Sequence, residues 1–438
     1  MPAAKISSEE AMSEHSFHQQ LAQRLALTRI EPVAFETYLR RAAVPVEVLE
    51  DFLAGASAKA FDPEFGYTLN TSHSPDGMDG SWTIATVGEH GARRIINGAG
   101  AACRINTYGN SFTQGSQCSD GETWQEYLAA HLGEPVRNFG VGGYGVYQAY
   151  RRMLRNEEEG APAENLILYI WGDDHLRSLF RCRWALLQPV IGAGLEALKR
   201  KGITFHGNFW CNIELDVATG AFRERDNPLA SPAALREMTD PDRMVALLHD
   251  DLALELHAFK EGYVSELARE PIQRLAEALD FDIDWAADVR KQAGTLLDQY
   301  ALRATLAILD KANAFARGRG KNLLVVLFDP YRAMQQIKQG EPRYDQCVLD
   351  HLQRNSIRHV DMNLAHIADA EAYKLSWPDY MKRFFVNGFG HYNPIGAHFF
   401  AYKLKDTIVD WLDPKPITYR RSASGADYRG YLADHRRT

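Results

Sequence analysis

The sequence predicts an α/β fold: three layers, with helices on both faces of a parallel, doubly wound β-sheet. Two observations predict it. From about residue 103 onward, short apolar runs of strand length alternate with longer stretches whose apolar residues recur at helical spacing. The composition, 45% hydrophobic and 24% charged with 33 Gly and 18 Pro, is that of an ordinary globular chain and excludes collagen-like, coiled-coil and wholly disordered classes. At 438 residues the chain exceeds one small core and suits one large decorated domain or two to three modules.

The elements follow in order. Residues 1–60 read as a helical N-terminal extension, with apolar residues at helical spacing through Phe17, Leu21 and Leu25 and again through Val46, Leu49 and Leu53. Residues 61–102 form a small β-rich lead-in, because short alternating runs are broken there by Gly, Pro, Asn and Asp. The α/β domain spans 103–412. Its strands fall at 103–108, 136–139, 166–171, 323–328 and 357–361, with helices at 123–131 and 147–156 and a closing helix from about 394 to 412. A mostly helical insertion, about 202–318, separates the third and fourth strands. Its first part suggests a strand and a hairpin around 218–220, and 231–318 carry Leu, Ala, Glu and Arg at helical spacing. The polar, basic tail 413–438 is either disordered or an arm that grips a second copy in a homo-oligomer.

Charge and cysteine usage narrow the function classes. A net charge of −8 argues against a general nucleic-acid binder, which needs a basic face for phosphates. The first residues lack a basic n-region, an apolar h-region and a cleavage site, so no secretory signal is expected. No run approaches the ~20 apolar residues of a membrane span. The five cysteines, Cys103, Cys118, Cys182, Cys211 and Cys347, contain no C-x-x-C and fit reduced thiols in a cytoplasm. Their spacing supports no zinc site.

Ligands of open parallel sheets bind at the carboxyl ends of the strands, so the loops there are where chemistry is expected. The first, Gly109-Asn110-Ser111-Phe112-Thr113, presents a serine at a helix start, where it is either an exposed hydroxyl or a plain N-cap. The second, Asn138-Phe139-Gly140-Val141-Gly142-Gly143-Tyr144-Gly145, lets backbone amides point into a pocket. It satisfies the bare G-x-G-x-x-G spacing, but follows the second strand and lacks a well-placed acid about 20 residues on, which argues against a dinucleotide site. The third is Gly172-Asp173-Asp174-His175, and the fourth runs from Asn387 through His391 to Asn393-Pro394. A histidine between a Gly-containing turn and a helix start can present a base.

Together these loops resemble the blocks of the SGNH/GDSL hydrolase superfamily over 103–412, outside the insertion. The first loop is similar to the Gly-Asp-Ser block, the second to the block whose glycine lends an N–H to the oxyanion hole, and the third to Gly-x-Asn-Asp. His391-x-Asn393-Pro394-x-x-Ala397 is similar to the last block. The stretch from Phe61-Asp62-Pro63 to Leu69-Asn70 also resembles a β-rich lead-in of some such proteins. The resemblance implies a flavodoxin-like sheet, Ser111 as nucleophile, His391 as general base, and Gly143 with Asp174 or His175 at the oxyanion hole. It implies neither metal nor organic cofactor.

Three positions depart from the family pattern. Asn110 stands where Asp is usual. Asp174 stands where the family has the oxyanion-hole Asn, and an ionised carboxylate cannot donate; one lost donor costs about 2.7–4 kcal/mol. Either Asp174 is protonated or His175 supplies the donor. Gly388 stands where the acid that orients the histidine is usual. Asn387 is near but uncharged, Asp361 and Asp329 end later strands, and a backbone carbonyl holding His391 is a further option. The reading is an esterase of the acylhydrolase or deacetylase type, acting on a small ester or acylated carbohydrate through an acyl-enzyme. Its rivals are an acyltransferase on the same fold, a non-catalytic carbohydrate-binding relative, and a metallohydrolase centred on Asp173, Asp174, His175 and His391. Trp171, Trp184, Trp210 and Tyr144 are candidates to line the pocket, with the 231–318 helices as a cap.

Overall fold

In a computed structural model, which describes residues 31–75, 82–187, 207–386 and 390–416, the five apolar runs become five strands of one sheet. They are β1 (Ile105–Tyr108), β2 (Arg137–Asn138), β3 (Asn165–Trp171), β4 (Asn322–Phe328) and β5 (Arg358–Asp361). All pairings are parallel and the order is 2-1-3-4-5, the flavodoxin-like arrangement. Every residue of β3 is buried, as a central strand covered on both faces requires. Register pairs Tyr108 with Leu168, Phe328 with Trp171 and Asp361 with Leu327, so the carboxyl ends line up along one edge of the sheet.

Helices are named here in chain order: α1 (Trp124–Leu132), α2 (Val146–Glu159), α3 (Val289–Gly318), α4 (Met362–Glu371) and α5 (Pro394–Trp411). On one sheet face, Ile105, Ile167, Tyr169, Leu324, Val326 and Phe328 join Trp124 and Leu128 of α1 and Phe399, Phe400 and Leu404 of α5 in one apolar cluster. On the other face the Tyr108 ring stacks on Phe139 and its hydroxyl donates to Glu157 of α2 at 2.6 Å. Burying this much aliphatic and aromatic surface is the main stabilising term of the layered arrangement.

The chain divides into two compact units. One holds the sheet, with 69–178 and the described residues from Thr305 onward. The other holds the described residues up to Thr68 with 179–304. The chain crosses between them at residue 304, inside α3. The second unit contains the helices Phe35–Arg41 and Val46–Leu53, the two-stranded sheet of Lys59–Asp62 with Gly66–Leu69 (whose last residue falls in the sheet unit), and the hairpin Asn212–Asp216 with Ala221–Arg225. Five further helical segments lie between Pro232 and Ala278. Its extent differs from the insertion expected at about 202–318. Leu179, Phe180, Cys182 and Trp184 are already buried, and the N-terminal helices fold with this segment, so the unit is assembled from two stretches of chain. The expected helix through Phe17, the residues 202–206 and most of the 413–438 tail lie outside the described residues.

Candidate active site at the carboxyl ends of the strands

β1 ends in Gly109-Asn110, and the chain turns at once into the one-turn helix Ser111–Gln114. Asn110 caps it: its Oδ1 accepts the Phe112 N–H at 2.7 Å. Ser111 is thus the first helical residue and is half-buried, with its carbonyl accepting the N–H groups of Gly115 (3.0 Å) and Ser116 (3.1 Å). Among the described residues nothing hydrogen-bonds the Ser111 hydroxyl. The Ser111 N–H belongs to the first turn of a helix, where donors have no intrahelical partner.

The glycine-rich loop after β2 is fastened along this turn. Val141 N–H donates to Gly109 O (3.0 Å), Gly142 N–H to Gln114 Oε1 (2.7 Å), and Asn138 Nδ2 to Gln114 O (3.2 Å). A Cβ on Gly140 would collide with the backbone of Thr113 and Gln114, so the approach needs glycine. Gly143 has φ of +89°, the left-handed region. Its N–H has no acceptor among the described residues.

Asp174 is fully buried and accepts from three donors. Oδ2 takes the Trp171 N–H (2.9 Å) and the side-chain amide of Asn110, while Oδ1 takes the Arg177 guanidinium (3.1 Å). Burial lifts its carboxyl to about 7, against the Arg177 charge and the two hydrogen bonds that hold it down. Through these contacts Asp174 ties the first and third loops together. His175 is buried too, with Nδ1 2.8 Å from Thr305 Oγ1 of α3 and its ring edge-on to Tyr344.

His391 sits on the Ser111 turn. Its ring packs against that of Phe112, with centroids 5.1 Å apart. Gln117 Oε1 accepts the His391 backbone N–H at 3.0 Å and lies 3.0 Å from Nδ1. The backbone donor identifies that Gln117 atom as the oxygen, so Nδ1 carries the hydrogen and the neutral ring keeps its lone pair on Nε2. The loop is pinned on both sides of the histidine. Tyr331, after β4, donates to Gly390 O at 2.7 Å, and Val386 N–H to His391 O at 3.0 Å. Asn393 caps α5 through the Gly396 N–H at 2.9 Å.

The acids considered for orienting His391 are engaged elsewhere. Asp361 caps α4 through the Asn363 N–H (3.0 Å) and pairs with Arg343. Asp329 accepts the N–H groups of Tyr331 and Arg332 and the Tyr344 hydroxyl (2.9 Å), and burial raises its pKa. The engagement of Asp361 has a plain cause: a carboxylate at a helix start is taken by the helix N–H groups and the nearest guanidinium. Asn387 lies outside the described residues. Gln117 was not among the sequence candidates; it belongs to no motif and meets His391 only through a contact 274 residues apart.

Among the described residues no three His, Cys, Asp or Glu side chains come together as a metal site, and Asp173 pairs with Arg177 at 3.6 Å. Trp184 and Trp210 are fully buried in the unit that holds 179–304, and Tyr144 is fully buried in the sheet unit. No described helix is long and apolar enough to cross a membrane.

The sheet unit thus belongs to the three-layer α/β/α class, and the loop after β2 and the His391 loop both meet the turn that follows β1, near the β1/β3 switch point where such folds bind ligands. No family model and no curated protein matches this chain.

Proposed function

We propose that the protein is a serine-dependent ester hydrolase of the SGNH/GDSL type, using Ser111 and His391. One observation carries this reading: the His391 ring lies on Phe112, the residue after Ser111, in the tautomer that leaves Nε2 as the proton acceptor. In the reaction, Nε2 takes the Ser111 proton as Oγ attacks the ester carbonyl. The Ser111 and Gly143 N–H groups are the oxyanion donors, aimed at charge that develops only in the transition state. The imidazolium then protonates the leaving alcohol, and water, deprotonated by the same nitrogen, resolves the acyl-enzyme. Ser111 and His391 share no hydrogen bond in the free protein; such pairs commonly tighten only when substrate binds.

The proposed substrate is a small ester or acylated carbohydrate. None of the five cysteines is paired in a disulfide, in keeping with a cytoplasmic setting. Ser111→Ala and His391→Ala should each abolish p-nitrophenyl acetate hydrolysis while leaving the circular dichroism spectrum unchanged. A fluorophosphonate probe should label Ser111 in the parent protein and not in Ser111→Ala. Retained hydrolysis in either variant defeats the reading, and a parent protein inert to the probe favours a binding role instead.

A further inference from the structure

The orienting acid of the last family block is absent at Gly388, Asp361 is bound to Arg343, and Asp329 to Tyr344 and two backbone N–H groups. What meets Nδ1 of His391 is the amide oxygen of Gln117. We propose that Gln117 is the positioning residue of the site, holding His391 in its base-competent tautomer without supplying a charge. This rests on the serine-hydrolase reading above.

Three observations beyond the contact itself support a built arrangement. Gln117 Oε1 is shared between the His391 backbone N–H and Nδ1, both at 3.0 Å, so one oxygen fixes the loop and the ring together. Gly390 makes room for it: a Cβ there would lie 3.2 Å from Gln117 Oε1 and 2.8 Å from Val386 O. The segment carrying Gln117 is clamped from the lead-in, where the buried Arg93 guanidinium donates to the carbonyls of Gln114, Gly115 and Cys118 and pairs with Asp120. The neighbouring Cys118 thiol also donates to Tyr392 O at 3.5 Å.

The chemistry differs from that of a carboxylate-backed histidine. Nδ1–H stays with the ring throughout, and the proton gained at Nε2 comes from Ser111 and goes to the leaving alcohol. A neutral amide oxygen stabilises the intervening imidazolium less than an anion would. Pairing this histidine with an acid at position 117 should move its titration upward.

The test has two independent arms. Long-range ¹H–¹⁵N spectra of the parent protein, with His391→Ala used for assignment, should show His391 protonated at Nδ1 and not at Nε2. The Nε2–H tautomer overturns the proposal whatever the activity. In the second arm, Gln117→Glu should shift the acidic limb of the kcat/KM pH profile up by about one unit or more, while Gln117→Ala lowers kcat at least about tenfold with KM nearly unchanged. Unchanged kcat and an unchanged limb in both variants, with Ser111→Ala and His391→Ala dead, overturn the Gln117 role alone. If Ser111→Ala and His391→Ala keep full activity, it is the hydrolase reading that falls.

Discussion

The side-chain amide of Asn110 donates to the carboxylate of Asp174, joining two positions at which the chain departs from the SGNH/GDSL pattern. The amide and the acid have exchanged places: Asn stands in the first block and Asp in the third. The Trp171 N–H donates to the same Asp174 oxygen and Arg177 to the other. The groups that meet the Asp174 carboxyl are all donors, and its ionised form satisfies them all. Asp174→Asn turns an NH₂ toward one of these donors, and Asn110→Asp sets two carboxyl groups against each other. Each should cost about 1–3 kcal/mol in urea denaturation. The double exchange should recover little, since either the Trp171 N–H would still lack an acceptor or the new carboxyl group at position 110 would lack a donor.

The same burial gives Asp174 a pH signature. Its folded pKa of about 7 lies above the ~3.9 of an unfolded aspartate. Between those values the folded chain holds a proton that the unfolded chain has released, so this residue's contribution to stability falls as pH rises from about 4 to 7 and is flat beyond. Buried Asp251, lifted to about 6, acts in the same direction. His257 and His366, both depressed to about 3 by burial, act in the opposite one, since the unfolded chain protonates them first as pH falls below about 6.5. The measurement is therefore the difference between the parent and Asp174→Asn. The disadvantage of the variant should shrink steadily from pH 5 to pH 7 and level off above it. A difference independent of pH would show that Asp174 does not titrate in this range.

The strands of the sheet were legible because burial on both faces forces continuous apolar sequence, as in Leu166–Ile170 and Leu323–Phe328. The loops that carry Ser111 and His391 were legible as a turn after a strand and a turn before a helix, because apolar runs and turn residues mark those places in the sequence. What escaped depends on contacts that sequence order does not encode. Phe35–Arg41 and the 179–304 segment share one unit though more than 130 residues separate them. Gln117 and Arg93 act through partners far along the chain or through backbone carbonyls, which leave no residue pattern. The surroundings of Asp174 were hidden for a related reason: Asn110, Arg177 and the Trp171 N–H become its neighbours only on folding.

In the proposed reaction Gln114 acts on the oxyanion side at one remove. Its Oε1 holds the Gly142 N–H at 2.7 Å, which fixes the peptide leading into Gly143, whose φ is +89°. Gln114→Leu removes that acceptor and lets the Gly142–Gly143 peptide turn. A full oxyanion donor is worth about 10²–10³ in kcat, so misdirecting one should lower kcat by up to about 10²-fold with a smaller change in KM. Gly143→Ala should act more severely, because a side chain in the left-handed region adds about 1–2 kcal/mol of strain. Steady-state kinetics on p-nitrophenyl acetate checks both, and equal changes in KM and kcat/KM at constant kcat would speak against an oxyanion role.

Arg93 supplies the last prediction. Its side chain is 2% exposed, and its guanidinium satisfies the carbonyls of Gln114, Gly115 and Cys118 at 3.0–3.1 Å, that of Ile84 at 3.2 Å, and Asp120 at 2.8 Å. Through this one residue the lead-in organises the turn between Ser111 and Gln117. Truncation to Ala strands a nearly buried carboxylate and several carbonyls at once, which should destabilise the protein by about 3–5 kcal/mol and lower its melting temperature by roughly 6–20 °C. Arg93→Lys keeps the charge but loses the planar fork, so it can serve only some of these acceptors. It should fold, melt between Arg93→Ala and the parent, and show reduced kcat because the loop carrying Gln117 is held at fewer points. A Lys variant that melts below the parent yet retains full kcat would separate the stability of this loop from the orientation of His391.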